Sequence, residues 1–190
     1  MSKFSSYLMM AAGFQLFAIS VFQEYFYQQG TELNLVKAEQ LVIQQEEEPK
    51  EPKKADFAPE PNETIGILKI PKLDYELPII EGTDEEMLAK GVGHFKSTAF
   101  PGEGEQILLS GHRDTVFRRF NELKNNDIFI VELPYGTFKY KMADAKIVDA
   151  DDRTVIRKMG EEVLVLSTCY PFTFIGDAPD RYVIYAYPMP

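Results

Sequence analysis

The hydrophobic positions of this chain form two patterns: one long apolar stretch at the amino terminus and many short apolar runs after residue 64. Turn residues separate the short runs, and the run around Tyr140 alternates apolar and polar positions as a half-buried strand does. Many short strands at close spacing are typical of a β-sandwich or a closed β-barrel. The pattern predicts a mainly β domain whose strands lie in IGILKI, ELPIIEG, QILLSG, DIFIVEL, GTFKYKMA, AKIVDA, EVLVLST and RYVIYAY.

Two short helices are predicted between these strands. The first is DEEMLAKG, in which Thr83 or Asp84 is a suitable amino-terminal cap and Gly91 a suitable end. The second is VFRRFNELKN, which precedes the turn Asn125-Asn126-Asp127. The predicted domain is therefore built from strands with short helical interruptions.

The amino-terminal stretch from residue 4 to residue 23 contains no charged residue, with Lys3 before it and Glu24 after it. Roughly 20 such residues match the length of a membrane-spanning helix, and the flanking lysine favours a cytoplasmic amino terminus. One alternative is a cleavable signal peptide, because Ala18-Ile19-Ser20 offers small residues at the spacing that a signal peptidase reads. A buried-core helix is a third interpretation, less favoured because the apolar residues show no one-sided periodicity. We expect residues 1–27 to form an anchor or a signal, with the folded domain outside the cell.

Between this stretch and the domain, residues 28–63 have the composition of a stalk. Strong helix formers run from residue 31 to residue 48 and predict a juxtamembrane helix. Residues 49–61 then contain four prolines among charged residues, a composition that favours an extended linker. The domain is expected to span residues 64–190.

Composition excludes some classes of function. The formal charge of −10 argues against nucleic-acid binding, which requires a basic surface. The glutamate runs at residues 46–48 and 85–86 do not have the spacing of a calcium loop. We predict no metal and no cofactor.

Three apolar runs each end or begin at a residue that can take part in catalysis. Cys169 ends EEVLVLSTC, His112 follows QILLSG, and Arg181 opens RYVIYAY. A single cysteine is often a small buried hydrophobe, but an unpaired cysteine in an exported protein is a candidate reactive thiol. A neighbouring histidine can accept the thiol proton and return it to a leaving amine, and an arginine can stabilise an oxyanion. This set predicts acyl transfer.

The sequence LSTC, followed about twelve residues later by Arg181 and preceded by SGHRD and GVGHF, resembles the sortase family of Gram-positive cell-surface transpeptidases. The resemblance covers residues 64–190. The family usually has TLxTC at the nucleophile, whereas Val165 replaces the first threonine here, at a position expected to be buried. The single amino-terminal segment and GHRDTVF are most similar to class D.

The resemblance implies a closed barrel of about eight strands with short helices, preceded by the membrane anchor and stalk. It implies that Cys169 is the nucleophile, His112 the general acid and base, and Arg181 the stabiliser of substrate and oxyanion. Thr168 is implied to contact substrate beside the thiol. His94 of GVGHF is implied to lie near the substrate groove, although a structural, hydrogen-bonded role is favoured over a catalytic one.

The resemblance also implies the reaction and its partners. The enzyme would cleave an LPxTG-like sorting signal of a surface protein after its threonine, form a thioester on Cys169, and transfer the protein to a peptidoglycan-precursor amine. The expected location is the cell membrane, with the catalytic domain extracellular. Two alternatives stay open: a non-catalytic surface-binding barrel, and a cysteine protease in which water takes the place of the amine.

Overall fold

The computed structural model describes residues 3–47, 57–173, 176 and 178–189. Eight strands close into a barrel in the order β1-β2-β3-β4-β7-β8-β6-β5. The predicted mainly β fold and the closed barrel of about eight strands are confirmed. The strands are β1 (Thr64–Ile70), β2 (Tyr75–Glu81), β3 (Val92–His94), β4 (Gln106–Ser110), β5 (Ile128–Leu133), β6 (Gly136–Asp149), β7 (Val163–Tyr170) and β8 (Asp180–Pro188).

Most neighbouring strands are antiparallel, but β2 pairs with β3 and β4 pairs with β7 in parallel. The sequences of β4 and β7 explain the second pairing. Both are nearly continuous apolar runs, QILLS and VLVLSTCY, which suit strands that are covered on both faces. These two strands are therefore buried over most of their length.

The side chains of β7 alternate between the barrel interior and a smaller cluster on its outer face. Leu164 and Leu166 belong to the main core, whereas Val163 and Val165 pack with Leu108 in the outer cluster. This alternation follows from the two-residue period of a strand. By the same period, Cys169 lies on the outer face of the barrel.

The predicted short helices are only partly present. The first forms α2 (Glu85–Leu88), with Asp84 at the N-cap position. The second forms turns and one 3-10 turn at Phe120–Glu122 instead of an α-helix. Phe117 and Phe120 explain the difference, because both are fully buried with ring centroids 3.8 Å apart and hold this segment against the barrel core. The other 3-10 turns are Pro71–Leu73 and Arg153–Val155.

The amino-terminal helix α1 spans Lys3–Glu47 and packs on the barrel through its second half. Ala38 is fully buried, and the Thr64 hydroxyl donates to Asn34 Oδ1 at 3.2 Å. Residues 28–47 of the predicted stalk are therefore a helix that lies against β1 and β2. Residues 48–56, most of the predicted proline-rich linker, lie outside the described residues.

Helix α1 contains most of the segment, residues 1–27, in which a membrane anchor is expected. Polar residues such as Gln15, Ser20 and Gln23 interrupt its apolar stretch. Within residues 3–47, 57–173, 176 and 178–189, no helix has both the length and the apolar character needed to cross a membrane.

Candidate active site

The register of two antiparallel strands places Cys169 and Arg181 together. Cys169 on β7 pairs directly with Arg181 on β8, and the Cβ atoms of such cross-strand partners lie about 4.5–5.5 Å apart. Val183, two residues after Arg181, belongs to the outer cluster, so Arg181 and Cys169 share the outer face. The sheet itself therefore sets the separation between thiol and guanidinium.

His112 reaches the same place through the parallel pairing of β4 with β7. Ser110 is the partner of Ser167, and the Gly111 N–H extends the ladder by donating to the Ser167 carbonyl at 3.1 Å. The His112 carbonyl then accepts from the Phe117 N–H at 3.0 Å, which turns the chain away from the strand. The structure thus brings together the histidine, the cysteine and the arginine predicted from the sequence.

The turn before His112 requires glycine. A Cβ atom on Gly111 would lie 2.6 Å from Val116 Cγ2 and 2.9 Å from the Phe117 ring, well inside van der Waals contact. Both neighbours are buried and cannot move away easily. The absence of a side chain therefore allows the His112 segment to pack this closely against the barrel.

Cys169, His112 and Arg181 line two cavities. The first has a volume of about 410 Å³ and continues over apolar side chains that include Leu88, Leu108 and Ile156. The second has a volume of about 310 Å³ and continues over Arg113, Asp114, Gly176 and Ala178. The thiol therefore stands between an apolar cavity and a polar one.

The side chains of His112 and Arg181, on either side of the thiol, differ in how firmly their contacts hold them. His112 is 28% exposed, and its Nε2 lies 3.6 Å from Oε1 of Glu85, which is 87% exposed. A side-chain contact this open to solvent is weak. Arg181 is better ordered, because its Nη1 donates to the carbonyls of Ala178 and Asp180 at 3.2 and 3.0 Å.

Thr168 is almost fully buried, with 3% of its surface exposed. Its hydroxyl donates to the Gly111 carbonyl at 2.7 Å, and so it supports the segment that carries His112. A contact between Thr168 and substrate stays a prediction.

His94 lies in β3 and is 1% exposed. Its Nδ1 is 2.7 Å from Glu81 Oε2, its Nε2 is 3.1 Å from the Ala99 carbonyl, and its ring stacks on Phe100. The structure does not bring His94 to either cavity beside the thiol. This placement matches the structural role favoured in the sequence analysis, and it leaves no exposed ring nitrogen for the implied substrate contact.

Sequence reasoning missed two neighbours of the site. Glu85 is far from His112 in the sequence, and no local pattern connects them. Arg113 follows His112 directly in GHRD, so its position was visible, but its contacts with the β7–β8 loop were not. In the described part of the chain, no group of three or more His, Cys, Asp or Glu side chains is arranged to hold a metal ion.

The three side chains beside the thiol cavity are suited to covalent acyl transfer. A half-buried, unpaired thiol can act as a nucleophile, an imidazole can move its proton, and a guanidinium can stabilise an oxyanion. The cavities on both sides of the thiol can accept an acyl donor and a second reactant.

Comparison with known proteins points to the same chemistry. Residues 68–189 match the family model described as the sortase domain. The chain is 54% identical over 133 residues to Sortase D of Bacillus subtilis (strain 168), which covers 70% of this chain and 67% of that protein. It is 33% identical over 131 residues to Sortase SrtE1 of Streptomyces coelicolor, which covers 59% of this chain and 37% of that protein.

Solved structures give a similar result. The catalytic domain of SrtD from B. anthracis is 45% identical, with a TM-score of 0.61, and the match covers 70% of this chain and 92% of that domain. The Clostridium perfringens Sortase D5 transpeptidase has a TM-score of 0.73 and covers 85% of this chain and 99% of its own. At 23% identity, this second likeness shows the fold alone.

Proposed function

The chain belongs to the sortase family of transpeptidases, and on this basis we propose that it cleaves LPxTG-like sorting signals and transfers the surface protein to a cell-wall amine. The observation that carries the proposal is the placement of Cys169 directly opposite Arg181, with His112 held beside them. Cleavage falls between the threonine and the fifth residue of the signal. The 54% identity with a Sortase D agrees with the class D resemblance seen in the sequence.

In the first half of the reaction, the Cys169 sulfur attacks the threonine carbonyl while His112 accepts the thiol proton. The guanidinium of Arg181 donates to the oxyanion of the tetrahedral intermediate. The bond to the fifth residue then breaks, and His112 gives its proton to the leaving amine. The product is a thioester between the surface protein and Cys169.

In the second half, an amine attacks the thioester carbonyl and His112 accepts the proton that the amine loses. Collapse of the intermediate forms the new amide bond and releases the thiolate, which regains its proton from His112. The proposed amine belongs to a peptidoglycan precursor. Water in its place would give hydrolysis, which is the protease alternative.

The two cavities support this division of the substrates. The first offers apolar surface from Leu88, Leu108 and Ile156, which suits the leucine and proline of a sorting signal. The second is lined by the polar groups of Arg113 and Asp114 and suits a polar second reactant. Both open onto the same thiol, as sequential acyl transfer requires.

We also propose that the catalytic domain works outside the cell membrane, because both proposed substrates are found there. The lone cysteine is free to react at this location, because the chain holds no second cysteine for an intramolecular disulfide. The test is accessibility of Cys169 in intact cells to a thiol reagent that does not cross membranes. Labelling only after lysis would contradict the proposal.

The decisive test of the activity is detection of the thioester. The full chain is incubated with a panel of LPxTG-like peptides, and its intact mass is measured before and after addition of candidate amines. We expect an acyl adduct that disappears on addition of an amine, with formation of the ligated peptide. Cys169→Ala should form no adduct, and His112→Ala should slow adduct formation by at least about a hundredfold.

Three outcomes separate the alternatives. Peptide cleavage at an unchanged rate in Cys169→Ala would refute the thioester mechanism. Peptide binding without any adduct would favour a non-catalytic module. Cleavage without ligation at saturating amine would favour a protease. The matched control is Arg153→Ala, because Arg153 is an exposed residue of the 3-10 turn at Arg153–Val155 and does not line either cavity beside the thiol.

A further inference from the structure

Arg113, the residue after His112, crosses from the β4 side of the site to the loop between β7 and β8. Its Nη1 donates to the Pro171 carbonyl at 3.2 Å, and its Nη2 donates to the Gly176 carbonyl at 2.8 Å. Pro171 is only two residues after Cys169. One side chain therefore joins the segment of the histidine to the loop that follows the cysteine.

Hydrogen bonds fix the chain on both sides of His112. On one side, Gly111 is tied to β7 through the Ser167 carbonyl and the Thr168 hydroxyl. On the other side, Arg113 is tied to Pro171. Both neighbours of the histidine are thus fixed to residues within two positions of the nucleophile.

The same loop also meets Arg181. The Arg181 Nη1 donates to the Ala178 carbonyl, two residues after the Gly176 carbonyl that accepts from Arg113. The two arginines therefore bind carbonyls two residues apart in one loop, Arg113 from the turn after β4 and Arg181 from β8. Movement of this loop would change the surroundings of Cys169 and of Arg181 together.

From these contacts we infer that Arg113 is a positioning residue: it ties the His112 segment to the β7–β8 loop and so holds His112, Cys169 and Arg181 in one arrangement. The inference rests on the proposed function, because it concerns the geometry of that acyl transfer. Arg113 itself takes no part in the chemistry of the proposed reaction. Its planar guanidinium suits the task, since it directs two parallel donors at two separate carbonyls, which a lysine ammonium cannot do with the same geometry.

Loss of this tie should affect the chemical steps more than substrate binding. A displacement of about 1 Å between reacting groups can lower a rate on the order of a hundredfold. The apolar cavity over Leu88, Leu108 and Ile156 does not include Arg113, so peptide binding there should be nearly unchanged. A split between kcat and KM is therefore the expected sign of a positioning role.

The test uses the full chain and the variants Arg113→Ala and Arg113→Lys. Steady-state cleavage of an LPxTG-like peptide gives kcat and KM, and intact mass follows thioester formation. We expect Arg113→Ala to lower kcat by about 10- to 100-fold with KM within about threefold of the wild-type value. Arg113→Lys should recover part of the loss, because an ammonium can still reach one carbonyl.

A second readout does not depend on the peptide. The rate at which iodoacetamide alkylates Cys169 is measured across the pH range from about 5 to 10, because this profile reports how the thiol is coupled to its neighbours. Arg113→Ala should change the shape of the profile. A purely structural role would reduce the folded fraction and leave the profile of the folded protein as it is.

Arg118→Ala is the matched control. Arg118 also donates a guanidinium hydrogen bond to a backbone carbonyl, that of Asp114. Its Nη2 also lies 4.0 Å from Glu24 Oε1 on α1, but it makes no bond to the described residues of the β7–β8 loop. Its kcat should stay within about twofold of the wild-type value, because no tie between the catalytic segments is lost.

The outcomes distinguish this inference from the proposed function. An Arg113→Ala variant with kcat within twofold of wild type, or one with an unchanged alkylation profile, would overturn the positioning role. If the wild-type chain forms no thioester with any peptide, the proposed function fails, and the alkylation profiles of the variants still decide whether Arg113 couples to Cys169.

Discussion

Cys169 and Arg181 are direct cross-strand partners on β7 and β8, and both face outward from the barrel. Their relationship depends on the register of the pair. A shift of one residue in either strand would turn its side chain from the outer face into the core, where Leu164, Leu166 and Ile184 lie. The buried face of the sheet therefore fixes the geometry of the exposed site.

We expect that one positive charge in the place of Arg181 is not enough for fast thioester formation. The several N–H donors of the guanidinium are also needed. Its Nη1 already holds the carbonyls of Ala178 and Asp180, and an oxyanion would need further donors from the same group. Arg181→Ala should lower the rate of thioester formation by about 10²- to 10³-fold. Arg181→Lys should lower it by at least about tenfold, because one ammonium cannot serve both the loop and the oxyanion. The rate of thioester formation is measured under single-turnover conditions. A rate in Arg181→Lys within twofold of the wild-type rate would contradict the prediction.

The Thr168 hydroxyl gives a second prediction. Thr168→Val removes its bond to the Gly111 carbonyl and leaves a buried acceptor unsatisfied, so the free energy of unfolding should fall by about 1–3 kcal/mol. The value of kcat should fall as well, because His112 follows Gly111. Thr168→Ser should restore both. The substrate contact implied by the family resemblance would appear instead as a rise in KM with kcat unchanged.

The buried pair of His94 and Glu81 should contribute to stability and not to substrate binding. His94→Gln leaves the Glu81 carboxylate, which is 5% exposed, without its imidazole partner. Leaving a buried hydrogen-bonding group without its partner costs about 1–3 kcal/mol. Urea unfolding should show this loss, while the KM of the folded enzyme should stay the same. A raised KM with unchanged stability would place His94 in the path of the substrate.

The sequence predicted the parts of the site that depend on local pattern. A strand shows its period and its end within a few residues, and Cys169, His112 and Arg181 stand at such ends. The sequence alone therefore indicates these three residues as candidates, and the structure brings them together. The closed barrel followed from the family resemblance, because the strand pattern alone fits a sandwich equally well.

The contacts that hold the site together depend on pairings between distant residues. Nothing in GVGHF indicates that His94 meets Glu81, and nothing in GHRD indicates that Arg113 reaches Gly176. VFRRFNELKN has helix-forming residues, yet burial of Phe117 and Phe120 against the core outweighs that weak local preference. Residues 28–47 likewise have helical composition, but only the structure shows that this helix packs on the barrel.

Tyr140 should be a major contributor to the stability of the barrel. It is fully buried, and its hydroxyl donates to Glu162 Oε1 at 2.7 Å. Glu162 Oε2 also accepts from the N–H groups of Gly102 and Gly104 at 2.9 and 3.2 Å, so one carboxylate joins the loop between β3 and β4 to β6. Tyr140→Phe should lower the free energy of unfolding at neutral pH by about 1.5–3 kcal/mol, the range for hydrogen bonds to charged groups.

Tyr135→Phe is the control for this substitution. Its hydroxyl donates to the neutral carbonyl of Pro101 at 3.1 Å, and its loss should cost only about 0.5–1.5 kcal/mol. Urea unfolding of the two variants beside the wild-type chain gives the comparison. Equal losses would show that the charge on Glu162 adds nothing to the Tyr140 bond.

The stabilisation by Tyr140 should also depend on pH. Burial, followed by the hydrogen bond to Glu162, raises the pKa of Tyr140 far above its ordinary value. A group whose pKa is higher in the folded state stabilises fully below its unfolded pKa, about 10 for tyrosine, and loses that contribution as the pH rises further. The deficit of Tyr140→Phe relative to wild type should therefore be constant from neutral pH to about pH 9 and shrink by about 1.4 kcal/mol per pH unit above pH 10. Other titrating groups cancel in this difference, because both proteins contain them. Urea unfolding at several alkaline pH values measures the deficit, and a deficit that stays constant up to about pH 11 would contradict the raised pKa.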